Sequence, residues 1–328
     1  MARLIDLYDA ALFDLDGVIY LGPHAIDGVI ETIDALHRDG VRVGFVTNNA
    51  ARTPTVVASH LRDLGITADT HDVVNSTQAT IRLMQADLDP GTCVLVVGTD
   101  GLREQVVEGG FTPVAGLEDS PEAVIQGYHP HLPWELLEHG AIAVQNGARW
   151  YATNPDLTRP TERGILPGCG AQVALIRACA DHDPIMAGKP FRPLLDETVR
   201  RLQAENPIFV GDRLDTDIMG AQAVGMDSLF VFTGAHGIGD LVAAQPHARP
   251  TYIGYDVRAL LQPARVAVRH ASTMRCGGQT VHVNGSGAHL DGSPHGRSER
   301  LDALWAALRL AWDDEIRIDD VLSRLGDL

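Results

Sequence analysis

The sequence predicts an α/β protein: a parallel sheet with helices on both faces, a second α/β unit inserted into it, and a small C-terminal extension. Three observations predict this. Short apolar runs alternate with amphipathic stretches of helical period, which is the rhythm of a parallel sheet whose crossovers are helices. The stretch between Asn49 and Lys189 is far too long for a loop and carries strands and helices of its own. Beyond residue 262 a polar, glycine-rich segment breaks the rhythm.

The elements follow in order. Ala10 to Val18 is a short apolar run ending in carboxylates and a glycine, a buried strand followed by a turn. From about Asp27 to Arg38, Ile30, Ile33, Ala35 and Leu36 fall near helical spacing, and Gly40 stops the helix. Val41 to Val46 is a second strand closed by Thr47-Asn48-Asn49, and a further helix runs from Thr53 to Leu64 before Gly65. Cys93–Val97, Ala123–Gly127 and Trp150–Thr153 read as strands. Pro133–Glu138 and Ala171–Asp181 lie within helices. After Gly188-Lys189-Pro190, a helix from Leu194 to Leu202 leads to the strand Pro207–Val210, and Ser228–Phe232 is the last regular strand. The polar segment Ala271–Arg297 follows, with short apolar alternations at Val266–Val268 and Thr280–Val283 on either side of its start, and then an amphipathic helix around Leu301–Trp312. Only residues 284–298 approach low complexity, and no internal repeat is present.

A chain of 328 residues is long enough for about two domains, and 45% hydrophobic content is ordinary for a globular protein. No run approaches the roughly 18–20 apolar residues of a membrane span, and Met1 to Tyr8 does not read as a secretory signal. Cys93, Cys169, Cys179 and Cys276 are too scattered for a disulfide framework or a zinc site and fit reduced thiols in a cytoplasmic protein. The net charge of −17 argues against nucleic acid as a partner. It also means that any phosphate-handling site must supply its own local positive charge.

Four segments carry chemistry. Asp14-Leu15-Asp16-Gly17 ends the first strand, and side chains two apart on an extended chain project to one face, so both carboxylates can serve one site. Alone, such a run is often a solvated turn. Thr47-Asn48-Asn49 ends the second strand with a hydroxyl and amides able to hold phosphate oxygens, though these are also ordinary turn residues. Lys189 stands between Gly188 and Pro190; a lone lysine is normally a surface charge. Gly211-Asp212-Arg213-Leu214-Asp215-Thr216-Asp217 follows a strand of apolar residues, and carboxylates packed so tightly are costly unless a cation holds them. Oxygen ligands without cysteine or histidine point to magnesium.

In their order and their places at strand ends, the four segments resemble the four motifs of the haloacid dehalogenase superfamily. The resemblance is closest to the subfamily with a large cap between the second and third motifs, which includes phosphoglycolate/glycerol-phosphate, pyridoxal and nitrophenyl phosphatases. Ala152-Thr153-Asn154-Pro155-Asp156, Pro167-Gly168-Cys169-Gly170, Gly188-Lys189-Pro190 and Gly211-Asp212-Arg213 through Asp217 share its wording, and the resemblance covers about residues 8–262. It implies a Rossmann-like parallel sheet core of residues 1–78 and 185–262, an inserted cap domain of residues 79–184, and residues 263–328 outside the family pattern.

By this resemblance Asp14 is the nucleophile that forms an aspartyl phosphate, and Asp16 is the acid that protonates the leaving alkoxide and then the base that activates water. Mg2+ is held by the Asp14 carboxylate, the Asp16 carbonyl and Asp212, with Asp217 as ligand or support. Thr47 and Lys189 contact the transferring phosphoryl group beside Gly17, Asn48 and Asn49. The cap excludes water and favours small phosphomonoesters over polymers. Arg159, in the cap loop shaped by Asn154 and Asp156, addresses the leaving group; a surface arginine is the plain alternative. His129 and His131 read as structural. Glycerol 3-phosphate or phosphoglycolate is the favoured substrate, with pyridoxal 5′-phosphate as the alternative. Rival readings are a silent binding protein of the same fold, a phosphomutase and a dehalogenase; the intact set of carboxylates and Lys189 weighs against the first. A homodimer through the cap is the family expectation. The extension reads as a tail docked on the body, with Trp305, Leu308 and Trp312 on one packed helix face, or as the remnant of an acyl-coenzyme A binding fold that lacks a complete glycine-rich loop.

Overall fold

The computed structural model describes residues 2–161, 164–285, 287–314 and 316–326. Among them, six parallel strands form one sheet in the order Tyr252–Gly254, Asp227–Val231, Pro207–Gly211, Ala10–Phe13, Arg42–Thr47, Val73–Asn75. Ala10–Phe13 is buried at every residue, as a strand covered on both faces must be. Its alternation sends Ala11 and Phe13 into a core with Ile33, Leu36 and Leu61, and Leu12 into the opposite core with Val46, Leu195 and Phe209. Helices Val29–Arg38 and Pro54–Asp63 therefore cover one face, and Arg192–Leu202 covers the other. Pro54–Asp63 starts where the sequence prescribes: Thr53 caps it by accepting from the Val56 N–H, and Pro54 fills a first-turn position that needs no donor. The edge strand Tyr252–Gly254 goes beyond the prediction, because three residues are too few for periodicity to register.

The long insertion folds as a second parallel sheet of five strands, in the order Ile185–Met186, Arg149–Ala152, Ala123–Gln126, Cys93–Val97, Thr112–Val114. Trp134–Gln145 and Cys169–Arg177 cover one face through Leu137, Ala143, Val173 and Ile176. Asp100–Glu108 and Ser76–Asp87 cover the other through Leu102, Val106, Ile81 and Met84. Two details differ from the boundaries read from sequence. Helix Ser76–Asp87 serves both units, since Ala79 packs in the first sheet's core and Ile81 and Met84 in the second's. On the return, Ile185–Met186 still pairs with Arg149–Ala152, and Ala187 is the residue that packs into the first core.

The C-terminal extension is more regular than its composition suggests. Val268–His270, Thr273–Cys276, Gln279–Asn284 and Gly287–Leu290 form an antiparallel meander, followed by helices Gly296–Asp314 and Asp319–Leu325. Met274, Cys276, Val281, Ala288 and Leu290 alternate onto one buried face, while glycines at the turns dilute the hydrophobic signal. That face meets Trp305, Leu308 and Trp312 and also Leu214, Ile218, Phe230, Leu241 and Ile253 of the first sheet's unit, so tail and body share one core. The Trp312 indole N–H donates to the Leu241 carbonyl across the junction. No helix among the described residues is long and apolar enough to cross a membrane.

Candidate active site

Three neighbouring strands of the first sheet, Ala10–Phe13, Arg42–Thr47 and Pro207–Gly211, end on the same edge. Each hands its chain to a charged or polar loop there, the edge at which parallel α/β sheets bind ligands. Lys189 reaches this edge from the loop between the two units and is only 2% exposed. Its ammonium donates to Asp14 Oδ1 at 2.6 Å and to Asp217 Oδ1 at 2.7 Å. The other oxygen of Asp217 accepts from the N–H groups of Asp212 and Arg213, at 3.2 and 3.1 Å. Asp217 thus ties the lysine to the loop that carries Asp212.

Asp212 is 1% exposed. Its Oδ2 accepts from the Ala235 N–H at 2.6 Å, while its Oδ1 is buried without a partner among the described residues. Oxygens of Asp14, Asp212 and Asp217 lie within 4.8 Å of one another. Three carboxylates against one ammonium leave two negative charges in a closed space, which a divalent cation balances. Glycines line the cradle: a Cβ on Gly17, whose φ is +93°, would come 2.6 Å from Asp212 Oδ2, and one on Gly234 would collide with the same carboxylate. The donor set, the orphaned oxygen and the glycine walls fit a hard cation such as magnesium, held by Asp14 and Asp212, with the Asp217 oxygens already engaged.

The electrostatics follow. Burial pushes the Asp14 carboxyl well above its ordinary range; Lys189 opposes the shift, and Asp217 and Asp212 add to it. Burial and the charge of Asp217 raise Asp212 to about 7 without a cation, against the pull of Ala235 N–H and Lys189. Burial alone would lower Lys189, but Asp14 and Asp217 outweigh it and hold the ammonium charged. Asp16 lies at the exposed mouth of the cleft. Desolvation by the cleft walls raises its carboxyl, and Arg52, Lys189 and His60 offset part of that rise. An acid above the ordinary carboxylate range beside a buried anion is suited to donating a proton.

The second segment supports the site as much as it lines it. Thr47 is buried at its strand end, and its hydroxyl accepts from the Asn49 N–H at 3.0 Å. Asn48 turns its side chain to Lys189, with Oδ1 accepting from the Lys189 N–H at 2.8 Å and Nδ2 donating to the Lys189 carbonyl at 3.0 Å. The same Nδ2 lies 3.2 Å from both Asp156 oxygens, and Asn154 donates to the Asn48 carbonyl at 2.6 Å. Asn49 caps the Ala51 N–H with its own side chain. Arg159 stands apart from the carboxylates, on the hairpin strand Thr158–Thr161, with its guanidinium carbon 4.8 Å over the Tyr128 ring. The His131 N–H donates to His129 Nδ1, and the backbone of His129 is bonded by the Gln172 side chain of helix Cys169–Arg177, so both histidines sit in a structural loop. Sequence reasoning did not single out Gly234 and Ala235, which cradle Asp212, or Arg52, which faces Asp16 electrostatically. The first pair follows the strand Asp227–Val231 and the second follows Thr47-Asn48-Asn49, so a search of every strand-end loop on this edge finds both.

Comparisons with known proteins give the same picture. Residues 11–112 match the family described as haloacid dehalogenase-like hydrolase, and residues 186–260 match a second model of HAD-hydrolase-like proteins. The chain is 42% identical over 290 residues to the D-glycerol 3-phosphate phosphatase of Mycobacterium tuberculosis, covering 88% of this chain and 81% of that protein. It is 35% identical over 247 residues to an acid sugar phosphatase of Staphylococcus aureus, covering 75% and 93%. Among solved structures, a glycerol phosphate phosphatase from Mycobacterium tuberculosis in complex with magnesium superposes with a TM-score of 0.89 at 37% identity over 99% of both chains. A p-nitrophenyl phosphatase from Archaeoglobus fulgidus superposes with a TM-score of 0.72 at 26% identity, over 77% of this chain and 98% of that one.

Proposed function

This chain belongs to the haloacid dehalogenase-like hydrolases, and on that premise we propose that it is a magnesium-dependent phosphatase of glycerol 3-phosphate acting through a phosphorylated Asp14. The observation that carries the reading is the buried Lys189 ammonium between Asp14 and Asp217, with an Asp212 oxygen nearby that lacks a partner among the described residues. Relatives over most of the chain act on small phosphomonoesters, and the one at 42% identity is named for glycerol 3-phosphate.

Lys189 fixes one oxygen of Asp14, leaving the other to attack phosphorus. As the bond to the leaving oxygen breaks, protonated Asp16 gives its proton to the departing alkoxide. In the second half, ionised Asp16 takes a proton from water, whose oxygen attacks phosphorus and releases inorganic phosphate and the Asp14 carboxylate. Thr47 and Lys189 supply donors to the transferring group, and Gly17 permits its close approach. Asp14, Asp212 and the Asp16 carbonyl are the groups that would hold magnesium, with Asp217 bracing the loop. When bound, magnesium supplies charge neutralisation at the phosphoryl oxygens.

The inserted unit, about residues 79–184, acts as the cap over the site, and Arg159 in it addresses the leaving group. Leu157, Ile165 and Leu175 of this unit are exposed, which supports a homodimer through it. The four unpaired thiols suit a reducing, cytoplasmic setting.

The test is phosphate release from glycerol 3-phosphate, phosphoglycolate, pyridoxal 5′-phosphate and nitrophenyl phosphate, with magnesium and with excess EDTA. Glycerol 3-phosphate leads by kcat/KM, EDTA stops turnover, and Asp14→Asn abolishes it with the circular dichroism unchanged. Substantial turnover by Asp14→Asn would remove the covalent step, and a different leading substrate would remove the assignment.

A further inference from the structure

We propose that Tyr128 is a positioning residue that presents the Arg159 guanidinium to the leaving group of the substrate. The inference rests on the reading that Arg159 addresses that group. Tyr128 lies just past the C-terminal end of the strand Ala123–Gln126, in a loop whose backbone is bonded at the next residue. Gln172, on helix Cys169–Arg177, clamps the next residue from both sides. Its Nε2 donates to the His129 carbonyl at 2.7 Å, and its Oε1 accepts from the His129 N–H at 2.9 Å. The His131 N–H closes the turn on His129 Nδ1 at 3.0 Å. A half-buried ring is therefore held on a fixed backbone, beside a hairpin whose register places Arg159 opposite Leu166.

Arg159 is held differently from the arginines of this protein that are paired with carboxylates. Arg213 is engaged by Asp215, Arg258 by Asp256 and Arg200 by Glu197, and each pair uses up N–H donors and cancels charge. Arg159 makes no ion pair with the described residues, and its Nε is buried with no hydrogen-bond partner among them. What it has is the face of Tyr128, 4.8 Å from its guanidinium carbon. A π face attracts and orients a guanidinium without occupying its N–H groups, whereas a carboxylate would consume them. A cationic fork kept unspent at a half-buried position suits a polar leaving group bearing acceptor oxygens. The Tyr128 ring does the orienting, and its hydroxyl is not required.

The experiment measures kcat and KM on glycerol 3-phosphate and on nitrophenyl phosphate for Tyr128→Leu, Tyr128→Phe, Arg159→Ala and the Tyr128→Leu/Arg159→Ala double variant. The readout is the ratio of the two kcat/KM values, which a general loss of folding or catalysis does not move. Tyr128→Leu lowers the ratio by roughly five- to tenfold, mainly through KM for glycerol 3-phosphate, and Tyr128→Phe stays within about twofold of the parent. In the Arg159→Ala background the tyrosine change adds nothing further to the ratio. If circular dichroism finds Tyr128→Leu unfolded, Tyr128→Gln serves as the nonaromatic variant. A ratio that responds to Arg159→Ala but not to loss of the ring overturns the role of Tyr128 and leaves Arg159 standing. A ratio that ignores Arg159→Ala overturns both.

Discussion

Asp212 shows how a single residue can be arranged for function at the expense of rest. Its Oδ2 is fixed by the Ala235 N–H, yet its Oδ1 is buried without a partner among the described residues, and the carboxylate stands close to those of Asp14 and Asp217. Burying a carboxylate beside like charges is unfavourable, which is why its carboxyl rises to about 7 with no cation present. Asp212→Asn keeps the shape and removes one negative charge. The expected result is a loss of turnover of at least about a hundredfold, with no loss of metal-free stability. Adding magnesium at about a hundred times its Kd should stabilise the parent by about 2.7 kcal/mol through mass action, and the variant should lose that gain. Thermal unfolding with magnesium and with EDTA measures both. A variant still stabilised by magnesium to the parental extent would place the cation elsewhere.

At the scale of elements, the loop after Arg42–Thr47 is the joint between the two sheets. Asn48 bonds the backbone of Lys189 on one side and Asp156 on the other, while its carbonyl accepts from Ser76 at 2.7 Å and from Asn154. Asn48→Ala leaves buried backbone groups of Lys189 unsatisfied, so a loss of about 1–3 kcal/mol is expected in urea unfolding. A fall in kcat should accompany it, because Lys189 loses its register. Ser76→Ala removes one hydrogen bond of the same joint without touching Lys189. It should cost about 1 kcal/mol and leave kcat near the parental value; an equal fall in kcat would mean that the joint acts as a whole rather than through Lys189. This double duty of Asn48 was not legible in the sequence, where it read only as a strand-end amide for phosphate. The strand-end carboxylates and the alternation of strands with helices were legible because each depends on local spacing: Asp14 and Asp16 two apart on an extended chain, Ile30, Ile33 and Leu36 on a helix. Contacts such as Asn48 to Asp156 or Gly17 to Asp212 join residues about a hundred or more positions apart, and no local period records them.

Across the whole molecule, the C-terminal extension is bound to the chemistry through a shared core. Leu214 and Ile218 flank Asp215, Thr216 and Asp217 in one turn of chain, and their side chains are buried in the same cluster as Met274, Val281, Trp305 and Leu308. That turn holds Asp217, which in turn holds Lys189 and the backbone of Asp212. The glycine-rich composition of residues 271–297 hid this, because the strands there are short and their buried residues few, although their alternation is regular. A tail merely resting on the surface could be removed at little cost. A shared core predicts otherwise. Trp305 is 1% exposed, so Trp305→Ala should destabilise the protein by about 3–5 kcal/mol. Because Leu214 and Ile218 belong to the same core cluster as Trp305, the variant that remains folded should also need more magnesium for half-maximal activity. Urea unfolding and a magnesium titration of turnover measure the two effects on the same preparation. Loss of stability with an unchanged magnesium requirement would make the extension a structural prop alone, whereas a rise in both ties its packing to the carboxylates of the site.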